Sequence, residues 1–227
     1  MFNDAAPFSK LLASLACAAA LALPLGAAAQ VPTGSYPGWD AFVAATEQIH
    51  DYTVTIVAHE VLGGRTQDRT YRYDFQRPME AKSTILDGPG KGSVGVWDGG
   101  TTVRGHQGGL LSFVTLEVGV HDPRATDLRG NTIETAAFPV LVTRFPALGP
   151  LSEGPGPTID GQATIEASVT VEAPSADHGL TRETLDLSSQ THLPLRHEGY
   201  TGTELVQRDD FVDLTINPGL TAADFQT

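Results

Sequence analysis

The histidines are the first side chains to weigh for metal or acid–base chemistry: His50, His59, His106, His121, His178, His192 and His197. None falls in the HExxH spacing that places two imidazoles on one helix face with a general base between them. His192 and His197 flank Pro194 at an odd separation, so in a strand they point to opposite faces, as do the adjacent His197 and Glu198. This spacing predicts solvent-facing or hairpin-end histidines. There is no Gly-x-Ser-x-Gly nucleophile elbow, and the single cysteine is Cys17. Carboxylates lie near one another at Asp209-Asp210 and at Glu117 with Asp122, but 27 acidic residues produce such neighbours by chance. Gly88-Pro89-Gly90-Lys91-Gly92-Ser93 lacks the spacing of a phosphate-binding loop and leads into a strand, so it reads as a turn. These patterns point away from a metal, a cofactor and covalent catalysis. An enzyme would need three or more of these His, Asp and Glu side chains to converge in one cleft.

Charge narrows the partners. Fourteen Lys+Arg stand against 27 Asp+Glu, a net charge of −13, and the lysines are only Lys10, Lys82 and Lys91. A nucleic acid or an anionic membrane surface attracts clustered cations, which this chain does not offer as a whole. A hydrophobic content of 41% is enough for a folded core. Lys10, the apolar stretch Leu11–Leu25 and the small residues Ala27 and Ala29 read as a secretory signal over residues 1–29. The stretch is short for a membrane span and contains Pro24. Cys17 lies too close to Lys10 for a lipoprotein signal. Cleavage after Ala29 removes Asp4, Lys10 and Cys17, so the net charge is unchanged and the exported chain has no thiol. The expected location is the periplasm, with no stable membrane insertion after cleavage.

The remaining chain must supply the scaffold. Residues 30–38 are a turn-rich leader to a single domain over 39–227. Trp39, Phe42, Val43, Thr46 and Ile49 fall on one face of a helix ended by Asp51. Residues 52–59 are dense in β-branched types, and Leu62-Gly63-Gly64-Arg65 is a turn. Thr70–Gln76 alternates, with Tyr71, Tyr73 and Phe75 on one side. Strands at 79–86, 93–97 and 101–106 follow, the last two joined by Asp98-Gly99-Gly100. The middle, 107–157, is irregular. It contains a helix marked by Phe138, Leu141, Val142 and Phe145, and it ends in a loop at 149–157. Strands resume with Ile165, Ala167, Val169 and Val171 on one face, then Thr184–Leu187, Leu195–Tyr200 and Leu205–Ile216. The order predicts an α+β fold: a strongly curved antiparallel sheet of about 9–11 strands, an open half-barrel, with helices against its concave face. Periodicity alone favours a filled core over an open apolar pocket.

Asp51-Tyr52-Thr53-Val54-Thr55, Phe75-Gln76-Arg77-Pro78, the Trp97-Asp98-Gly99 hairpin and Arg129-Gly130-Asn131 occur in an order that resembles the LolA/LolB group of periplasmic lipoprotein carriers. So do Leu193–Glu198 with Tyr200, and Phe211–Leu220 running to Phe225. The chain is most similar to the exported relatives in that superfamily. The resemblance implies an eleven-stranded half-barrel lidded by helices, with a cavity for acyl chains. Its lining would come from Tyr71, Tyr73 and Phe75, from Met79 and Ile85, from Phe138, Leu141 and Phe145, and from Ile165 and Val169. It also implies that Arg77 hydrogen-bonds the lid. Where carriers place bulky groups after Arg-Pro, this chain has Met79, Ala81, Ser83 and Ile85, which widens a cavity or admits a packed helix. The expected function is a soluble, non-catalytic carrier of a lipid or of a lipoprotein's acyl chains. The alternative is an envelope interaction or sensory module with a filled cavity and a protein partner.

Overall fold

Two runs of short antiparallel strands, each closed by tight turns, meet in one sheet. The computed structural model describes residues 35–227, so the signal assigned to 1–29, Cys17 and the first part of the leader lie outside the described residues. The elements in chain order are helix α1 (Pro37–Glu47), strands β1 (Asp51–Leu62), β2 (Arg65–Gln76), β3 (Glu80–Asp87), β4 (Val94–Trp97), β5 (Thr102–His106) and β6 (Leu116–Gly119), helix α2 (Phe138–Arg144), and strands β7 (Leu151–Pro155), β8 (Thr164–Thr170), β9 (Arg182–Ser188), β10 (Pro194–Thr201) and β11 (Glu204–Ile216). The sheet has eleven strands in the order β6-β5-β4-β3-β2-β1-β11-β10-β9-β8-β7. Each meander therefore runs outward from a central seam, and the pairing of β1 with β11 joins the first meander to the second. β6 and β7 remain the two edges, so the barrel is open.

Two corrections follow. β6 arises inside the stretch read as irregular, and β7 inside the stretch read as a loop. Both are short edge strands, and β7 ends in Pro155, as suits a strand that pairs on one side only. α1 also begins at Pro37, two positions before the apolar spacing starts, because proline is well suited to the first helical turn.

Helix α1 has no side-chain cap of its own, and the sheet supplies both ends. Glu153 of β7 accepts a hydrogen bond from the Trp39 amide at 2.9 Å. At the other end Arg77 donates to the carbonyls of Ile49 at 2.7 Å and Thr46 at 2.9 Å. An anion at the helix N-terminus and a cation at its C-terminus both oppose the macrodipole. Replacing Arg77 by Ala leaves those carbonyls without their charged donor. We expect a loss of about 1–2 kcal/mol in chemical denaturation, with Arg77→Lys recovering part of it.

The filled part of the concave face is aromatic. Tyr52 and Phe138 stack with centroids 4.3 Å apart, Tyr52 also stacks on Phe75, and Trp39 stacks on Phe145. α1 packs on α2 and β8, while the turn Ile133–Ala136 packs on β3 and β4. Buried tyrosine hydroxyls need partners, and here they hold the segment leading into α2. Tyr73 donates to the Ile133 carbonyl at 3.0 Å. The Tyr52 hydroxyl donates to the Ala136 carbonyl and accepts from the Phe138 amide.

Candidate functional site

Register explains why part of the concave face stays open. On the inner face of β2, Tyr73 lies opposite Ser83 of β3; Ser83 lies opposite Gly95 of β4, and Gly95 opposite Gly105 of β5. This row of small residues makes a trough across the strands. One step along, the row Phe75–Ala81–Trp97–Val103 is filled. Gly105 is required by the backbone itself, because a Cβ there would collide with the Val94 carbonyl. Above the trough run residues 123–136 and α2, and the space between is a cavity of about 600 Å³. Its apolar lining includes Ile56, Val103, Val118, Ile133 and Phe211.

Of the side chains named from sequence, Tyr71, Tyr73, Ile85 and Leu141 line this cavity. Phe75, Phe138, Phe145 and Val169 are buried in the packed core, with Met79 partly buried against it. Ile165 is partly buried and lies under α1, where its side chain would meet a Cβ at Gly38. Arg77 caps α1 as described above. Ser83, Gly95 and Gly105 were visible in sequence only as small residues; their alignment needs the register of three strands.

The solved structures share this architecture at low sequence identity. An uncharacterized conserved protein from Thermus thermophilus is similar with a TM-score of 0.55 and 10% identity, covering 83% of this chain and 92% of that one. The LolA superfamily protein NE2245 from Nitrosomonas europaea gives 0.42 and 11%, over 85% and 99%. The Mycobacterium tuberculosis lipoprotein LppX gives 0.48 and 13%, over 81% and 95%. No protein-family model matches the sequence, and no curated protein does. At this identity the likeness is one of fold, an open half-barrel.

Within this half-barrel one end of the cavity is polar, and a charged network forms its wall. Arg144 at the end of α2 reaches β9, where its two terminal nitrogens donate to the two oxygens of Glu183 at 2.9 and 2.7 Å. It also donates to Asp177 at 2.6 Å. On the other side of Glu183, His197 Nε2 lies 2.6 Å away, and its Nδ1 faces Asp209 at 3.8 Å. Gln207 donates to Asp209, and Asn131 donates to Gln207. Glu183 is fully buried. Burial alone would raise its pKa, yet its bonds to His197 and Arg144 hold it well below the usual carboxylate range. Burial likewise works against charge on His197, but the carboxylates of Asp209 and Glu183 outweigh it and raise the imidazole to about 9. Burial and the neighbouring Glu183 push Asp177 up to about 6.

This corrects the expectation for His197. It is 7% exposed, not solvent-facing, because its strand alternation turns it inward while Glu198 turns outward to Arg208. His197 and Asp209 do converge with Glu183, but within an ion-pair network that also holds Arg144 and Asp177. Among the described residues no serine, threonine or cysteine hydrogen-bonds to a histidine ring, and no three His, Cys, Asp or Glu side chains are placed to hold a metal ion. The arrangement clamps α2 to the sheet.

The Arg129-Gly130-Asn131 motif has a matching structural cause. Asp127 accepts the amides of all three residues through one oxygen. Arg129 donates to the carbonyls of Val61 and His178, and Gly130, at φ 98°, takes a backbone form that favours glycine. Buried Glu60 accepts the Leu128 amide; burial and Asp127 raise its pKa to about 9, so it is neutral at pH 7. Together these bonds fix the loop that roofs the cavity.

Proposed function

We propose that this chain is an exported, non-catalytic carrier that holds a hydrophobic ligand, a lipid or the acyl chains of a lipoprotein, in the half-barrel cavity. The observation that carries the reading is the 600 Å³ space left between a fully packed aromatic core and a roof fixed by hydrogen bonds. An acyl chain gains about 0.8 kcal/mol for each methylene it buries there. The aromatic cluster beside the cavity keeps the fold while the cavity empties, since Tyr52, Phe75, Phe138 and Phe145 lie in the packed core and do not line the cavity. The N-terminal signal supports delivery to the periplasm, and among the described residues no helix is long and apolar enough to cross a membrane. A half-barrel interaction module with a protein partner is the second reading, and the cavity argues against its filled form.

The test is mass spectrometry of organic extracts from gently purified protein, followed by titration with a fluorescent fatty acid. A lipid recovered in a fixed ratio, or saturable displacement of the probe, is expected. A protein that carries nothing and ignores the probe would overturn the reading.

A further inference from the structure

The connection between β5 and β6 carries the most exposed apolar side chains of the described residues. Leu110 is 93% exposed and Phe113 82%, with Val114 and Leu116 also open to solvent. Burying such groups is favourable, and a monomeric soluble protein seldom leaves a bulky pair this bare without a reason. The base of the connection is firmly placed: the Gly108 amide donates to Ser93 Oγ at 3.0 Å, and a Cβ at Gly108 would collide with the Lys91 carbonyl. That base is also part of the cavity rim, because His106, Gln107, Gly108 and Leu116 line the cavity. An apolar finger thus stands at the entrance to an apolar space.

Its charge departs from the rest of the chain. With a net charge of −13, the sequence nevertheless contains no acidic residue from Gly99 to Leu116, where the charged or titratable groups are Arg104 and His106. The adjoining turn carries Lys91, which pairs with the exposed Asp87 at 3.2 Å, and Glu117 lies just beyond the finger. The shape narrows the occupant further. A protein partner needs a broad complementary face, commonly about 800 Å² on each side, which a few side chains on a protruding loop do not provide. A bilayer needs only an apolar protrusion free of carboxylates, entering the boundary between headgroups and acyl chains by about 5–10 Å.

We propose that the 107–116 finger docks the protein reversibly on the surface of a phospholipid bilayer, with Leu110 and Phe113 inserted, and so sets the cavity rim against the leaflet. The docking does not depend on which ligand fills the cavity. Protein recovered from the periplasmic fraction, with its N-terminus determined by mass spectrometry, is floated with vesicles of phosphatidylethanolamine and phosphatidylglycerol, and separately with phosphatidylcholine. The native protein is expected to float with both. The Leu110→Ser/Phe113→Ser double variant is expected to lose at least tenfold in bound fraction, with unchanged thermal unfolding and unchanged uptake of a fluorescent fatty acid. Native protein that does not float overturns the proposal, as does a double variant that floats equally well. A native oligomer that the double variant abolishes, without vesicle binding, would assign the finger to a second copy of this chain and overturn it too. Loss of fatty-acid uptake by the native protein would count against the carrier reading and leave the docking result standing.

Discussion

Replacing Glu183 by Leu should lower the unfolding free energy by about 3–5 kcal/mol, the cost of leaving buried charge without its partner. Glu183 is the one carboxylate that touches both cations of the network, accepting from Arg144 through both oxygens and meeting His197 at 2.6 Å. Without it, His197 keeps only Asp209, and Arg144 only Asp177, each on one side. The imidazole should then titrate well below its native value of about 9. Urea denaturation gives the first quantity and NMR titration of His197 the second. A loss under about 1 kcal/mol would mean that the network is not the clamp inferred from its geometry.

The same network fixes the direction of the pH dependence. His197 has a folded pKa raised to about 9, so its contribution is complete below its ordinary value of 6.5 and is lost as pH rises through 9. Glu183 is held low, so its contribution is present above 4.5 and is lost as pH falls through its depressed folded value. Asp177 has the opposite sign from Glu183: raised to about 6, it costs stability as pH climbs from 3.8 towards 6. Thermal unfolding should therefore weaken between pH 7 and about 9.5, where the ionisation of buried Glu60, raised to about 9, also works against the fold, and His197→Gln should make that alkaline limb shallower. An alkaline limb of equal slope in the variant would remove His197 as its cause.

Ser83→Phe should reduce affinity for an acyl ligand by roughly 50-fold. The side chain enters the trough between Tyr73 and Gly95, where a benzyl group displaces about three methylenes of ligand, worth roughly 2.4 kcal/mol. Because Ser83 lines open space and does not belong to the packed core, stability should change little. Fluorescent fatty-acid titration and thermal unfolding of one preparation separate the two effects. Equal affinity in the variant would place the ligand elsewhere.

How much of this was legible before the structure varies by element. The strands near the central seam announced themselves through alternation and β-branched residues, because each buries one face and pairs on both sides. The edge strands β6 and β7 did not. Leu116–Gly119 and Leu151–Pro155 are short, bear glycine and proline, and need to satisfy a partner on one side only. Helix α2 was legible from Phe138, Leu141 and Phe145, since its prolines fall where a helix tolerates them. The cavity was legible as a class of residue and not as a place: Tyr71, Tyr73, Ile85 and Leu141 line it, whereas Phe75, Phe138 and Phe145 fill the core beside it.

By itself the amino-acid sequence determined the strand-rich class, the order of helix and meanders, the excess of negative charge and the absence of the spacings that mark nucleophile elbows and helical metal sites. Those properties live within a few residues of one another, where alternation, turn chemistry and composition act directly. Tertiary structure alone decided the rest. Glu183, Arg144, His197 and Asp209 come from four elements, and Ser83, Gly95 and Gly105 from three strands. Their meeting depends on strand register, and a shift of one residue would turn each strand's contribution to the other face of the sheet.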